Sequence, residues 1–351
     1  MPSKLFFYII LYYFVKKKTA VLLINLGTPD SPSVAHVRKY LFQFLNDARV
    51  IDIPWILRAL LVNLIIVPFR APKSAKIYKQ LWTKEGSPLL LHGKNVTGKL
   101  QEKLNNKADV YFAMRYQNPS IDSVLEEIRL KNYSKIIVIP LYPQYASSST
   151  GSTLERVMNI ISKWFVIPEI SLVSQYYDEI GYLDAFADRG KKYIAENYEH
   201  VLFSYHGLPV RQVDKVYEKG PCSDHHCEDQ VDDENLFCYK AACYETTRQI
   251  ASRLNIPKEK YTVAFQSRLD KNWLEPFSDK VVEALGKKGI KKLLVFSPAF
   301  TSDCLETTIE IGYEYKEIFE ANGGEHLQLV ESLNDHPIWI NTLEKMVLER
   351  L

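Results

Sequence analysis

The chain has no Gly-x-Gly-x-x-Gly run and no Gly-x4-Gly-Lys-Ser/Thr run, so nothing in it cradles a nucleotide phosphate in the usual ways. It has no excess of basic charge: 44 lysines and arginines stand against 42 acids, a net charge of +2. That balance argues against a nucleic-acid partner. Its five cysteines are odd in number and do not make an extracellular disulfide framework, which places the chain in a reducing cytosol. The amino-terminal apolar run, Leu5 to Val15, falls short of the roughly 20 residues a membrane span needs. No small-residue cleavage site follows it, as a signal peptide requires. Lys16-Lys17-Lys18 leads directly into a buried-strand pattern, so residues 1–18 read as an extension dispensable to the fold; an interfacial anchor and a helix packed elsewhere are the other readings.

What the chain does have is apolar content of 46% over 351 residues, enough for two ordinary domains or one large α/β unit. Short apolar runs read as strands: Val21 to Leu26, Val110 to Met114, Ile136 to Ile139, Leu172 to Gln175, His200 to Ser204, Tyr261 to Gln266, Leu293 to Ser297 and Gln328 to Val330. Helical patterns lie between them, among them Ile121 to Leu130, Tyr182 to Tyr198, Cys243 to Leu254 and Ser278 to Leu285. Such alternation predicts parallel sheets covered by helices. The halves echo each other in the same order. Leu22 to Pro29 parallels Leu202 to Pro209, Phe112 to Tyr116 parallels Phe265 to Leu269, and Ile136 to Pro140 parallels Leu293 to Pro298. The expected fold is α/β: two similar doubly wound, Rossmann-like domains with parallel sheets and a cleft between them. The first domain spans 19–178 and the second 179–330, with a C-terminal helix over 331–351 returning to the first.

Ile53 to Phe69 is the most apolar long stretch, interrupted only by Arg58 and Asn63. It reads either as a core helix or as an exposed lip that meets a membrane surface or a greasy ligand.

Two segments carry titratable residues at the carboxyl ends of strands, where open α/β sheets bind ligands. Phe203-Ser204-Tyr205-His206-Gly207-Leu208-Pro209 supplies an imidazole, with a glycine turn that lets backbone approach closely. Phe300-Thr301-Ser302-Asp303-Cys304-Leu305-Glu306-Thr307 supplies carboxylates. Asp303, Glu306, Glu310 and Glu314 are spaced 3, 4 and 4, which on an α-helix puts them on one face. A solvated surface is the ordinary reading of an acidic stripe. A start inside an apolar context instead suggests a path for cations or protons. An imidazole and a carboxylate together bind a divalent metal or move protons. Separately, Cys222, Cys227, Cys238 and Cys243 form two Cys-x4-Cys pairs in a polar insertion (220–243) that also holds His225 and His226. Four close thiols hold zinc or an iron–sulfur cluster, or stay reduced in a loop.

From about Lys18 to its end the chain resembles the ferrochelatase family, bacterial type. The resemblance rests on the two signatures and on Asn25-Leu26-Gly27-Thr28-Pro29, Arg115-Tyr116, Tyr142-Pro143-Gln144-Tyr145, Ser149-Thr150-Gly151-Ser152, Gln266-Ser267 and Trp273. It implies a chelatase-like enzyme that inserts ferrous iron into protoporphyrin IX to form protohaem, the last step of haem biosynthesis. Coproporphyrin or another tetrapyrrole is the alternative substrate. By that resemblance His206 is base or metal ligand, Glu306 the facing carboxylate, and Asp303, Glu310 and Glu314 the proton or iron path. Leu26 presses on the opposite porphyrin face. Arg70, Lys73, Tyr78, Ser87, Arg115 and Tyr116 line the pocket or reach propionates, and Trp273 braces the disc. Cys304 stands where some members have His, as a soft ligand or a plain small residue. No organic cofactor is needed, iron is substrate, and the four insertion cysteines match a [2Fe–2S] cluster or zinc. The expected place of work is the cytoplasm, peripheral at the inner face of the membrane. A two-domain solute-binding protein is the rival of another class; it predicts a secretion signal and no acidic stripe. An interaction module held by the cysteines is a third reading, in which His206→Ala would be silent.

Overall fold

In the computed structural model, which describes residues 18–351, two four-stranded parallel sheets follow one another along the chain. The first consists of β1 (Thr19–Gly27), β2 (Asp109–Tyr116), β3 (Lys135–Pro140) and β4 (Glu169–Leu172), in spatial order β2-β1-β3-β4. The second consists of β5 (His200–His206), β6 (Tyr261–Gln266), β7 (Lys292–Phe296) and β8 (His326–Leu329), in the order β6-β5-β7-β8. The second sheet repeats the first. This strand order is doubly wound, and its ligand crevice opens at the carboxyl ends of the first and third strands. In the two sheets those ends are Gly27 and Pro140, then His206 and Phe296.

The apolar runs are continuous because both faces of each sheet are covered. Val21 and Leu23 face one buried cluster, and Ala20, Leu22 and Ile24 face another. The helices are α1 (Val34–Leu45), α2 (Trp55–Leu81), α3 (Pro88–Leu104), α4 (Ile121–Leu130), α5 (Ser152–Ile161), α6 (Ile180–Ile194), α7 (Val210–Asp214), α8 (Tyr239–Arg253), α9 (Ser278–Lys287), α10 (Lys316–Ala321) and α11 (Pro337–Leu348). Trp339, Leu343 and Val347 of α11 share one core with Val96 and Leu100 of α3 and Leu183 and Phe186 of α6. The last helix thus packs against both halves.

Among the described residues three stretches wind as π-helix, with i→i+5 bonds: Leu61–Ile66 within α2, Ser147–Gly151 before α5, and Glu306–Tyr315 before α10. The last two follow β3 and β7, so they hold equivalent places in the two halves. The strand expected at Leu172 to Gln175 lies earlier, at Glu169–Leu172. Its ladder stops after Val173, whose N–H reaches Val138, and the Gln175 side chain instead bonds the Leu236 carbonyl. The reading of residues 1–18 as a dispensable extension falls, Lys18 apart, outside the described residues.

The Ile53 to Phe69 stretch lies in α2 and turns most of its apolar side chains outward. Trp55, Leu64 and Phe69 are 70%, 66% and 72% exposed. The opposite face, Val62, Val67, Ala71 and Tyr78, is buried with Val37, Tyr40 and Leu41 of α1. Of the two readings, the exposed lip fits the described residues: one face holds the helix to the body and the other is presented outward.

Candidate active site

His206 is the last residue of β5, paired in register with Gln266 of β6. The chain then turns sharply. A Cβ on Gly207 would meet the Gln266 carbonyl at 2.8 Å, so only glycine brings the backbone this close. The Gly207 N–H donates to that same carbonyl at 2.7 Å. The equivalent turn in the first half is Gly27, at φ +128°, where a Cβ would strike the Tyr116 carbonyl. Leu26 and His206 therefore occupy matching strand ends, one offering an apolar side chain and the other an imidazole.

The His206 Nδ1 lies 2.7 Å from the Gly207 carbonyl. A carbonyl only accepts, so Nδ1 carries the hydrogen and the Nε2 lone pair is left free for a proton or a metal. The ring sits between Trp273 and Phe300, each 6.4 Å away between centroids. Trp273 is held there by an antiparallel bridge to Pro209 and by the flanking bonds Leu274 N–H to Leu208 and Val210 N–H to Asn272.

Glu306 opens the π-helix. Gln266, the register partner of His206, donates its side-chain N–H to the Glu306 carbonyl at 3.2 Å, tying the two catalytic candidates to one edge. Around the Glu306 carboxylate stand Tyr40, Tyr78 and Cys304. Burial, then the Glu306 charge, push the Tyr40 phenol up; burial, the Tyr40 charge and the Glu306 charge do the same to Tyr78. Burial and then Glu306 also push the Cys304 thiol up, so Cys304 is protonated at neutral pH. Glu310 is firmly held, accepting from the Ser267 N–H and hydroxyl, Tyr315 and Gln266. Ser267 itself sits at φ +60°. Glu314 is pushed above the ordinary carboxylate value by burial, then by Glu310 and Glu317. Among the described residues no lysine or arginine pairs with Glu306, Glu310 or Glu314. Three carboxylates without a cation give this edge a negative field suited to a divalent ion.

Asp303 does not join them. The expected common face assumed α-helical winding from 303 onward, whereas the helix begins at Glu306 and is π. Asp303 instead accepts from Ser332 and Asn334 and lines a separate hollow with Thr308, Gly312 and Glu331. It is an anchor for the loop after β8.

The residues expected to meet the porphyrin divide into groups. Tyr78 and Ser87 are buried, and the Ser87 hydroxyl lies 2.9 Å from Thr28. Arg70 and Lys73 are exposed on the lip. Arg115 and Tyr116 face inward to Asp47, at 2.5 and 2.9 Å, and Ser152 also donates to that carboxylate. They brace the wall through a buried acid; the sequence reading had them lining the pocket or reaching propionates. Burial alone would raise Asp47. Hydrogen bonds from Ser152 and the Arg49 N–H, the Arg115 charge and the Tyr116 hydroxyl outweigh it and hold the carboxyl below its ordinary 3.8. A depressed carboxylate stabilises the fold above its unfolded pKa, and that contribution is lost as pH falls through the folded value. Asp47→Asn is thus expected to lower stability at pH 7 by about 3 kcal/mol, since it breaks a buried pair. It should also flatten the loss of stability below about pH 4; urea unfolding at pH 3 and pH 7 reads both effects.

Sequence reasoning missed Asp47, Tyr40 and Tyr239. Asp47 meets partners 68, 69 and 105 residues away, so no local spacing marks it. A cavity of about 670 Å³ also went unforeseen. It lies beside the His206 edge, lined by Arg49, Tyr145, Leu208, Gln212, Phe237 and Tyr239 among others. None of the residues expected to hold the porphyrin lines it, so we place the chemistry at the His206–Glu306 edge, where the free lone pair and the unpaired acids are.

In the Cys-rich insertion, Cys222, Cys227 and Cys238 bring their sulfurs within 4.8 Å of one another. Cys222 lies 3.7 and 3.6 Å from the other two. Thiol hydrogen bonds from Cys222 and Cys227 hold Cys238 well below the ordinary thiol value. Cys243 is buried on α8, outside that group, and burial pushes it up.

Two repeated parallel sheets, with an imidazole and unpaired acids at the carboxyl edge of the second, define a chelatase. The same architecture occurs in "SirB from Bacillus subtilis with Fe3+", with a TM-score of 0.52 at 14% identity over 95% of each chain. The family model "Ferrochelatase" matches residues 18–351, and the chain belongs to that family. It is 43% identical to a ferrochelatase of Legionella pneumophila (strain Paris) over 94% of this chain and 99% of that one. It is 42% identical to a ferrochelatase of Coxiella burnetii (strain Dugway 5J108-111) over 94% and 93%. The solute-binding reading is set aside by this match.

Proposed function

We propose that this chain inserts ferrous iron into protoporphyrin IX to form protohaem. The carrying observation is the Nε2 lone pair of His206, left free by the Nδ1 hydrogen bond at an edge of unpaired carboxylates. Each Fe2+ that enters displaces two pyrrole protons, so a base must sit at the macrocycle face. His206 takes one of them, and the other leaves through the carboxylates of Glu306, Glu310 and Glu314. Leu26, on the matching strand end, presses the other face and helps turn the nitrogen lone pairs out of plane. Glu314, Glu310 and Glu306 replace water around iron on its way in. Arg70 and Lys73 meet the propionates at the lip, and Trp273 braces the disc. Under anaerobic conditions the purified protein should convert the four-banded spectrum of free-base protoporphyrin to that of protohaem on adding ferrous iron. An unchanged free-base spectrum contradicts the proposal.

The chain works in the cytoplasm, with the lip resting on the inner face of a membrane. The outward Trp55, Leu64, Ile65 and Phe69 suit acyl chains, and the exposed Lys76 suits an anionic headgroup. Leu64→Glu with Ile65→Glu removes about 3 kcal/mol of partitioning. Sedimentation with anionic vesicles should therefore weaken on the order of 100-fold; wild-type protein that never sediments contradicts the docking.

The insertion holds a metal through thiolates. Thiolates around one tetrahedral zinc stand roughly 3.8 Å apart, given Zn–S bonds of about 2.3 Å. The Cys222 distances fit that value, and Cys243, outside that triad, is the fourth thiol of the insertion that a [2Fe–2S] cluster would call on. Iron with acid-labile sulfide in purified protein marks the cluster, zinc without sulfide marks the single ion, and neither metal contradicts the reading.

A further inference from the structure

We propose that Tyr239 is a positioning residue for His206, and that the thiol site one residue away sets its grip. The inference rests on the thiolate-centre reading above. Tyr239 is the first residue of α8, and its hydroxyl donates to the His206 carbonyl at 2.9 Å. That carbonyl ends β5, just before the turn that fixes the imidazole. Tyr239 is therefore a strut from the Cys-rich insertion to the backbone of the catalytic base.

Cys238 caps the same helix. Its N–H bonds Asn235, and its carbonyl accepts from Ala242. Adjacent Cα atoms are about 3.8 Å apart, so a shift of Cys238 passes directly to Tyr239. The other two converging sulfurs come from Cys222 and Cys227, on the far side of the insertion loop. Asn235, fully buried, closes the loop by donating to the Gln230 carbonyl. A metal drawing three thiolates together fixes Cys238; without it, the three buried thiols add only weak S–H contacts to the backbone and Asn235 bonds at the turn.

Tyr239 also has somewhere to go. Its ring lines the 670 Å³ cavity with Leu208, Phe237 and Tyr145. Packed cores change between discrete arrangements, and an open cavity beside a ring offers it a second one. With the thiol site filled, Tyr239 holds the His206 carbonyl. With it empty, Tyr239 swings into the cavity, and His206 loses its fixed place between Trp273 and Phe300.

The test uses full-length protein as purified and after removal of the thiol-bound metal by a chelator, each as wild type and as Tyr239→Phe. That variant keeps the ring and removes only the hydroxyl. The chain has eight histidines, so the ring resonance of His206 in 13C-histidine-labelled protein is assigned by its loss in His206→Asn. We expect metal removal to shift that resonance, and metal-loaded Tyr239→Phe to show the same shifted position. Metal removal and the variant should each lower kcat by about tenfold, the scale of one hydrogen bond, with porphyrin Kd held within about twofold. Removing metal from Tyr239→Phe should lower kcat no further, because both act on one contact. Two kcat losses that multiply, or a His206 resonance that ignores metal removal, overturn the proposal. Metal content, measured separately, shows whether the thiol centre itself exists; protein with no thiol-bound metal overturns that reading and this one together.

Discussion

Replacing His206 by alanine is expected to lower iron insertion by about a thousandfold, in the middle of the range for losing a positioned base. The effect should fall on kcat, with protoporphyrin binding changed only a few-fold. The reason is local: Nδ1 is fixed by the Gly207 carbonyl, so the only function left to the ring is at Nε2. Trp273 and Phe300 flank the ring and would still grip an apolar disc in its absence. Backbone geometry should survive, because the turn is made by Gly207 and Gln266 and does not need the imidazole. Fluorescence titration with protoporphyrin, run beside the anaerobic insertion assay, separates binding from chemistry. A variant that keeps full kcat would remove His206 from the mechanism.

Glu306→Gln should lower insertion by about a hundredfold or more. The substitution keeps shape and removes charge, so the loss reports the carboxylate's field and its ability to replace a water on iron. Two independent signs should accompany it. The Glu306 charge helps push the Cys304 thiol up, after burial, so removing it should bring that thiol down and speed its alkylation at alkaline pH. Tyr40 and Tyr78 are raised in part by the same charge and should also titrate earlier. Unchanged Cys304 reactivity would mean that the carboxylate does not face it.

Much of this was legible in the sequence because a buried parallel strand advertises itself. Val21 to Ile24 and Val201 to Phe203 are apolar on both faces, and the polar side chains just after each run mark the approach to the carboxyl edge. The matching Leu26-Gly27 and His206-Gly207 steps announced the repeat, and the two sheets have the same strand order. The acidic stripe was half legible. Glu306, Glu310 and Glu314 start at the right strand end, but helical spacing misassigned Asp303, because sequence gives no sign that the turn after β7 winds as a π-helix. Arg115 and Tyr116 stood out by type, while the buried Asp47 that turns them inward did not, since its partners come from β2 and α5. The direction of α2 was undecided by composition. One apolar face is buried on α1, and only folding shows that, among the described residues, the other is left exposed. Tyr239 was invisible for the same reason as Asp47: its partner carbonyl belongs to a strand 33 residues earlier.

The most direct measurement is a crystal structure of the protein with protoporphyrin bound. The account predicts the macrocycle between Leu26 and His206, with its nitrogens facing Nε2, Glu306 at hand and Trp273 along its edge. A macrocycle seated in the cavity of Tyr145, Phe237 and Tyr239, with His206 and Glu306 left uncovered, would contradict it.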